Sequence, residues 1–346
     1  MQQEWDFRIR FWGARGTFST PLLPDQLLDR VVESIRNLLR SSASGELSAE
    51  LDANRLREMV TEHVPFHVRS TFGGNTTCIE VETPDQHFIV DAGSGLCPLG
   101  AAIASRWSDP EFSGKRHAVI LLSHAHMDHV FAIPFVDTLY DPHNEFHIWA
   151  QEEVVASLNA VLGPSAPLGS LYVPPTFAMM KGIKQFRRIS AGEAYQIGGT
   201  TVRTFALNHP GGCLAFRFER GDRSIVLASD HEQTQTVDEG LVEFCRGADL
   251  LYADAQYYQS EYQGSQGIDG NRPLPRKGWG HSSVESAIET ALAAQVKRLY
   301  LGHHDPKRSD QSLQELESHA RRHLGEVAPD SPIEVCMTRE GASLAM

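Results

Sequence analysis

The sequence lacks the features that mark several protein classes. No uninterrupted apolar run in its 346 residues approaches the roughly 20 residues that a membrane-spanning helix needs. The N-terminal segment MQQEWDFRIRFWG has no apolar stretch followed by a small-residue cleavage site. The cysteines are scattered, odd in number and never in CxxC spacing, so we assign them no zinc role: Cys78, Cys97, Cys213, Cys245 and Cys336. We therefore expect a chain in the cytoplasm with no membrane partner.

Clusters of basic residues are also missing. Lys and Arg number 31 against 44 Asp and Glu, which gives a formal net charge of -13. A positive surface that grips a long nucleic acid is therefore disfavoured. A small anionic substrate remains compatible with this charge, because bound divalent cations would reverse the local potential.

The most informative stretch begins with an apolar run, Ala118 to Leu122, which predicts a buried strand. Four potential metal ligands follow it directly: His124, His126, Asp128 and His129. Side chains alternate along an extended loop, so His124 and His126 point to the same side and can bind one cation, while Asp128 and His129 turn toward a second. No metal-free role explains four ligand-type side chains beside a core strand. The pattern predicts half of a two-metal site.

The HxHxDH pattern resembles that of the metallo-β-lactamase-fold hydrolases. Within them the chain is most similar to the phosphodiesterase branch, which contains ribonuclease Z and small cyclic-nucleotide phosphodiesterases. The resemblance extends from Phe7 to about Ala345 and includes the segments RFWGARG, GGNTTC and HHDP. It implies an α/β fold, a four-layer αββα sandwich of the metallo-β-lactamase type, in one domain covering residues 1–346.

Three later strand-like segments also end in candidate ligands. His209, which follows Val202 to Leu207 in an HPGG motif similar to one of the family, would complete a three-imidazole set. Asp230 follows Ser224 to Ala228, and its carboxylate can bridge two cations about 3.5 to 4 Å apart. By similarity to the family's terminal LxH motif, His303 is preferred over the adjacent His304 as the last ligand.

The predicted set has two halves joined by one bridge. His124, His126 and His209 would bind one metal ion, Asp128, His129 and His303 the other, and Asp230 would lie between them. A site rich in nitrogen and free of thiolate suits Zn²⁺, with Mn²⁺ or Fe²⁺ conceivable.

Other residues are expected to act around this set. Asp91, at the end of a predicted strand, either accepts a hydrogen bond from a ligand histidine or only forms a turn; His304 is expected to orient His303. His281 precedes a predicted helix at Val284 to Ala294, and the resemblance implies a catalytic role for it, together with Asp128; a surface histidine beside a helix cap is the alternative. Arg15, in a GxRG loop similar to one near the cleft in related phosphodiesterases, is a candidate phosphate contact or an ordinary turn residue.

In residues 21–64 the apolar residues recur with the period of a helix instead of that of a strand. Apolar residues between Leu27 and Leu39 recur at helical spacing, and a second helical pattern follows a Ser/Gly-rich break. We predict a helical-hairpin insertion that packs on the sandwich, covers the cleft or contributes to a homodimer.

These observations predict a dinuclear metal-dependent phosphodiesterase that hydrolyses small phosphodiesters, with cyclic nucleotides as the leading class. A ribonuclease Z-like endoribonuclease is the second hypothesis; the acidic charge and the absence of an obvious basic arm for transfer RNA oppose it. A lactonase or β-lactamase is the third hypothesis, and His281 opposes it.

Overall fold

The computed structural model describes residues 5–112, 114–166, 173–234 and 236–346. Within these residues, fourteen strands form two seven-stranded sheets. The first sheet contains β1 (Arg8–Gly13), β2 (Cys78–Glu82), β3 (His87–Val90), β4 (His117–Leu121), β5 (Glu145–Ala150), β6 (Ile183–Arg188) and β14 (Ser343–Ala345). The second contains β7 (Ala194–Ile197), β8 (Thr200–Leu207), β9 (Cys213–Arg220), β10 (Arg223–Ala228), β11 (Leu250–Asp254), β12 (Arg298–Gly302) and β13 (Glu334–Met337).

Both sheets change from antiparallel to parallel pairing. The spatial orders are β14-β1-β2-β3-β4-β5-β6 and β13-β12-β11-β10-β9-β8-β7. In the first sheet, pairing is antiparallel from β14 to β3 and parallel from β3 to β6. In the second, it is antiparallel from β7 to β10 and parallel from β10 to β13. The carboxyl ends of the parallel strands in each sheet therefore meet at one edge, which is where ligand sites form in α/β folds.

The described helices are α1 (Pro24–Arg40), α2 (Ala53–His63), α3 (Phe66–Arg69), α4 (Leu96–Trp107), α5 (Met127–Val130), α6 (Glu152–Leu162), α7 (Glu239–Cys245), α8 (Gln259–Tyr262), α9 (Val284–Ala294) and α10 (Asp310–Val327). Ser283 caps α9 by accepting a hydrogen bond from the backbone N–H of Ser286, at 3.2 Å. None of these helices combines the length and apolar character needed to cross a membrane.

Three apolar cores separate four layers. Alternation along β4 divides its side chains, so that Val119 and Leu121 face the second sheet while Ala118 and Ile120 face α4 and α6. Between the sheets, the rings of Phe88 and Phe218 meet edge to face at 5.2 Å. The outer face of the second sheet packs against α7, α9 and α10. The predicted αββα sandwich is confirmed.

The predicted insertion contains α1 and α2, joined through a short 3₁₀ helix at Ser42–Glu46. Asp52 caps α2 by accepting hydrogen bonds from the backbone N–H groups of Asn54 and Arg55. α1 has no buried residue along its 17 residues. The insertion is therefore buried through α2, where Met59 is fully buried, and not through α1.

Candidate metal centre

The predicted ligands lie at the carboxyl ends of four strands. The loop after β4 carries His124 and the residues up to His129, whereas His209 follows β8, Asp230 follows β10 and His303 follows β12. All seven residues converge where the two sheets meet, because these strands end at the same edge.

The first group is formed by His124, His126, His209 and Asp230, whose donor atoms all lie within 4.8 Å of one another. The Nε2 atoms of His124 and His209 are each 3.7 Å from Oδ2 of Asp230. Nε2 of His209 lies 3.0 Å from Nδ1 of His126. Three imidazoles and one carboxylate around a common point form a donor set of the kind that binds zinc.

The second group is formed by Asp128, His129 and His303. Oδ2 of Asp128 is 3.1 Å from Nε2 of His303 and 3.3 Å from Nε2 of His129. Asp230 also reaches this group, since its Oδ1 lies 3.3 Å from Nε2 of His129 and its Oδ2 lies 3.4 Å from Nε2 of His303. Asp230 therefore faces both groups.

Two buried atoms in this cluster test whether the residues fit a metal pair. Nε2 of His124 and Oδ1 of Asp230 have no hydrogen-bond partner within the described part of the chain. A buried polar atom without a partner costs free energy, and a cation at either group would supply that partner. The donor set therefore fits two divalent cations.

The electrostatics of the first group also favour ligation. Burial lowers the pKa of His124 well below its ordinary value, and it lowers that of His209 to about 4. Burial alone would raise the pKa of Asp230, but the nearby imidazoles, led by His129 and His303, hold it well below its ordinary value. Neutral imidazole and ionised carboxylate are the forms that bind metals.

Asp91 lies behind the cluster, where the sequence analysis expected an acceptor. Its Oδ2 is 2.8 Å from Nδ1 of His129, and its Oδ1 accepts a hydrogen bond from the backbone N–H of Ser123 at 2.8 Å. The Ser123 hydroxyl donates to Asp91 at 2.9 Å and lies 2.9 Å from Nδ1 of His124. Asp91 thus orients one histidine directly and a second one through Ser123.

The expectation that His304 orients His303 is wrong. His304 points away from the cluster, with its Nε2 2.8 Å from the carbonyl oxygen of Thr338. Nδ1 of His303 instead contacts the carboxamide nitrogen of Gln256, at 2.8 Å. Gln256 comes two residues after the end of β11, and that position was its only signal in the sequence.

Arg15 does not take the expected place as a phosphate contact. Its guanidinium is buried and donates hydrogen bonds to the carbonyl oxygens of Gly73 and Arg308, each at 2.9 Å, behind the cleft. Its loop contacts the cluster through the backbone instead, because the N–H of Thr17 donates to Oδ2 of Asp128 at 2.7 Å. Gly16 allows this approach: a Cβ there would lie 2.6 Å from Cε1 of His303.

His281 lies at the cleft wall, three residues before α9. Its ring stacks on that of His303 at 4.8 Å, and its Nδ1 lies 2.6 Å from Oδ2 of Asp254. Burial would lower its pKa, but the carboxylates of Asp254, Asp230 and Asp128 outweigh burial and raise it to about 9. The Asp254 contact holds Nδ1 and leaves Nε2 as the other reactive nitrogen of the ring.

A carboxylate that the sequence analysis did not identify fixes the segment before His281. Glu232 accepts hydrogen bonds from the backbone N–H groups of Gly278, at 2.7 Å, and Gly280, at 2.8 Å. The carbonyl oxygen of Gly280 in turn lies 2.8 Å from Nδ1 of His209. Glu232 therefore positions His281 and His209 together.

The cleft above the cluster has a volume of about 500 Å³ and combines charged and apolar walls. Phe18, Met127, Leu274 and Trp279 line it and are 45% to 67% exposed. Lys307 lines the same cleft. The apolar walls of the cleft provide surfaces for a flat or apolar part of a ligand beside the cluster.

Comparisons with known proteins agree with this architecture. Residues 86–304 match the family model described as a beta-lactamase superfamily domain. No curated protein matches the chain.

Three solved structures illustrate the likeness in fold. The metallo-beta-lactamase fold protein YhfI from Bacillus subtilis is 15% identical, with a TM-score of 0.60 and coverage of 98% of this chain and 99% of that chain. Zinc-bound PqqB from Methylobacterium extorquens is 14% identical, with a TM-score of 0.61 and coverage of 98% and 100%. The short form of human tRNase Z is 14% identical, with a TM-score of 0.54 and coverage of 97% and 98%. At these identities the likeness concerns the fold.

Proposed function

We propose that the chain, which belongs to the β-lactamase superfamily, is a metal-dependent hydrolase and, more specifically, a dinuclear phosphodiesterase. The observation that carries this proposal is Asp230, whose carboxylate contacts both groups of ligand-type residues: Oδ2 lies near His124 and His303, and Oδ1 lies near His129. This arrangement suits a pair of cations held close together, as two-metal phosphoryl hydrolysis requires.

The seven residues divide between the two positions. His124, His126 and His209 would hold one cation; Asp128, His129 and His303 would hold the other; and Asp230 would belong to both. When bound, such a pair supplies activated water at neutral pH and neutralises charge on a phosphoryl group. The thiolate-free, imidazole-rich set favours Zn²⁺, with Mn²⁺ or Fe²⁺ as alternatives.

His281 is proposed to donate a proton from Nε2 to the leaving oxygen of the substrate. Asp254 holds the ring through Nδ1, and stacking on His303 fixes the ring beside the cluster. Asp128, which the sequence analysis also associated with catalysis, enters this proposal as a ligand that the N–H of Thr17 orients.

Small phosphodiesters, above all cyclic nucleotides, are the proposed substrates. The exposed faces of Phe18 and Trp279 in the cleft provide surfaces on which a nucleobase can stack, and Lys307 supplies a positive charge for phosphate. The net charge of -13 disfavours a long polyanion, which supports a small substrate over a ribonuclease Z-like role. We also propose a cytoplasmic location and a homodimer.

A substrate panel tests this assignment. Purified, metal-loaded protein is assayed with cyclic mononucleotides, chromogenic phosphodiesters, transfer-RNA precursors and lactones. We expect hydrolysis of the first two and little cleavage of the precursors. Efficient lactone opening without phosphodiester turnover would overturn the proposal, whereas preferential cleavage of the precursors would favour the endoribonuclease.

The role of His281 predicts a specific kinetic pattern. His281→Ala should lower kcat by on the order of 10² to 10⁴ and leave metal content unchanged, because the side chain acts on the leaving group. His143→Ala is the matched control, since His143 is exposed and pairs only locally with Asp141. Metal loss in His281→Ala would instead assign this histidine to ligation.

A further inference from the structure

α1 lies on the protein with its polar face inward and its apolar face outward. The half-buried residues of the helix recur on one side and are mostly polar: Arg30, Glu33, Ser34, Asn37 and Leu38. Arg30 anchors this side, since it forms an ion pair with Asp310 of α10 and donates a hydrogen bond to the carbonyl oxygen of Ser70. An ordinary surface helix has the opposite orientation.

The outward side carries a continuous apolar surface, which we call the α1 stripe. Its residues are Leu28 (62% exposed), Val31 (49%), Val32 (39%), Ile35 (52%) and Leu39 (61%). They recur at intervals of three and four residues, and this spacing is the one by which two helices pack along each other. An apolar surface of this kind on a soluble protein marks an interaction site.

Charged residues next to the stripe identify its occupant. At about 100° per residue, Asp25, Asp29, Arg36 and Arg40 all fall on one flank, beyond Val32 and Leu39. The two acidic residues lie in the N-terminal half of the helix and the two basic residues in the C-terminal half. If a second copy of α1 packs antiparallel, Asp25 faces Arg40 and Asp29 faces Arg36 of that copy, and both pairs are centred midway between residues 32 and 33.

The apolar residues agree with the same axis. An antiparallel pair centred midway between residues 33 and 34 places Leu28 beside Leu39, and Val32 beside Ile35, of the second copy. The charge pairs and the apolar layers therefore coincide to within about one residue, or about 1.5 Å along the helix.

We propose that α1 is the interface of a homodimer, in which two copies of the helix pack antiparallel across a twofold axis. Such an axis makes each contact occur twice. A lipid surface fits this helix poorly, because α1 contains no lysine, has three acidic and three basic side chains, and belongs to a chain of net charge -13. The proposal concerns assembly alone and does not depend on the chemistry of the metal centre.

Sedimentation of the full chain at concentrations from about 1 to 100 μM tests the interface. We expect a dimer for the unmodified chain and a monomer for Ile35→Asp, with the dissociation constant raised at least about 100-fold. Leu56→Asp is the matched control, because Leu56 is 37% exposed on α2, outside the stripe, and should leave the dimer intact. Circular dichroism and thermal unfolding check that each variant is folded.

Charge reversal tests the orientation. Asp29→Arg alone and Arg36→Asp alone each place like charges together and should weaken the dimer about tenfold, because each contact occurs twice. The double variant should restore it. A monomeric unmodified chain at 100 μM, or a dimer that Ile35→Asp leaves intact, would overturn the interface. Failure of the double variant to restore the dimer would overturn the antiparallel geometry, and a monomer that sediments with neutral vesicles would assign the stripe to lipid.

Discussion

Replacing Asp91 by asparagine removes the acceptor behind His129 while keeping every proposed metal ligand. The two side chains have nearly the same shape, and Asp91 has a φ of 63°, in the left-handed region that asparagine tolerates. The substitution therefore changes hydrogen bonding and charge with little effect on the backbone. The change in metal affinity that follows therefore shows how much Asp91 contributes to orienting the ligand histidines.

The size of the effect follows from the three hydrogen bonds that Asp91 accepts, from Ser123 N, Ser123 Oγ and Nδ1 of His129. Asparagine offers one acceptor oxygen and an NH₂ donor, so in either orientation of the amide a donor faces a donor. Losing a hydrogen bond to a charged acceptor costs about 1.5 to 3 kcal/mol. Metal affinity at the position of His129 should therefore fall roughly 10- to 100-fold. The other position should change less, because Ser123 relays the contact to His124.

Competition with a chelator of known affinity measures the two dissociation constants separately. Asp249→Asn is the matched control: Asp249 is also buried and accepts hydrogen bonds from Ser224 N, at 2.9 Å, and Lys297 Nζ, at 2.8 Å, away from the cluster. It should lower stability without changing either metal affinity. If Asp91→Asn binds both metals as tightly as the unmodified chain, Asp91 has no orienting role.

Three further outcomes are expected. Asp230→Ala should lower metal content from about two ions per chain and reduce the rate, as measured by metal analysis beside kinetics; full occupancy would exclude the bridge. Arg15→Met should lower the melting temperature and leave KM for phosphodiesters unchanged, because the guanidinium binds carbonyl oxygens behind the cleft; a large rise in KM would return Arg15 to the substrate. Burial opposes ionisation of Glu80, but its contacts with His87, Trp12 and Arg106 lower its pKa from 4.5 to about 2. The resulting stability, about 3 kcal/mol, is present above pH 4.5 and is lost as the pH falls toward 2, so urea unfolding of Glu80→Gln should differ from the unmodified chain at pH 7 and converge with it near pH 2.

The sequence indicates which ligand-type residues come together because each of them lies in a segment that follows an apolar strand. Period-two alternation alone places His124 and His126 together, and parallel strands bring their carboxyl ends, with Asp230 and His303, to one edge. At these positions the local sequence pattern and the overall fold agree, so the sequence alone is enough to predict that these residues lie close together.

The residues that the sequence does not predict are those that loops recruit over long distances. Gln256 contacts His303, which is 47 residues away in the sequence. Glu232 contacts Gly278 and Gly280, which are 46 and 48 residues away. No local sequence pattern predicts either contact. Arg15 illustrates the converse error: its motif predicted a loop near the cleft, but only the packed structure determines which way a long side chain turns. Periodicity likewise predicted α1, whereas the contact of Arg30 with Asp310 decides which face of that helix is outward.

The division of the ligand set between the sheets has a mechanical consequence. His124 and His129 belong to the loop after β4 in the first sheet, whereas His209, Asp230 and His303 follow strands of the second. A cation bound by residues of both sheets would therefore hold the two halves of the sandwich together at one edge, and elsewhere the halves adhere chiefly through apolar packing. The number of bound metal ions should determine the free energy of local opening at that edge. In hydrogen exchange, the amide hydrogens at the ends of β4 and β12 should therefore become more protected together when the ions bind, and less protected together when the ions leave.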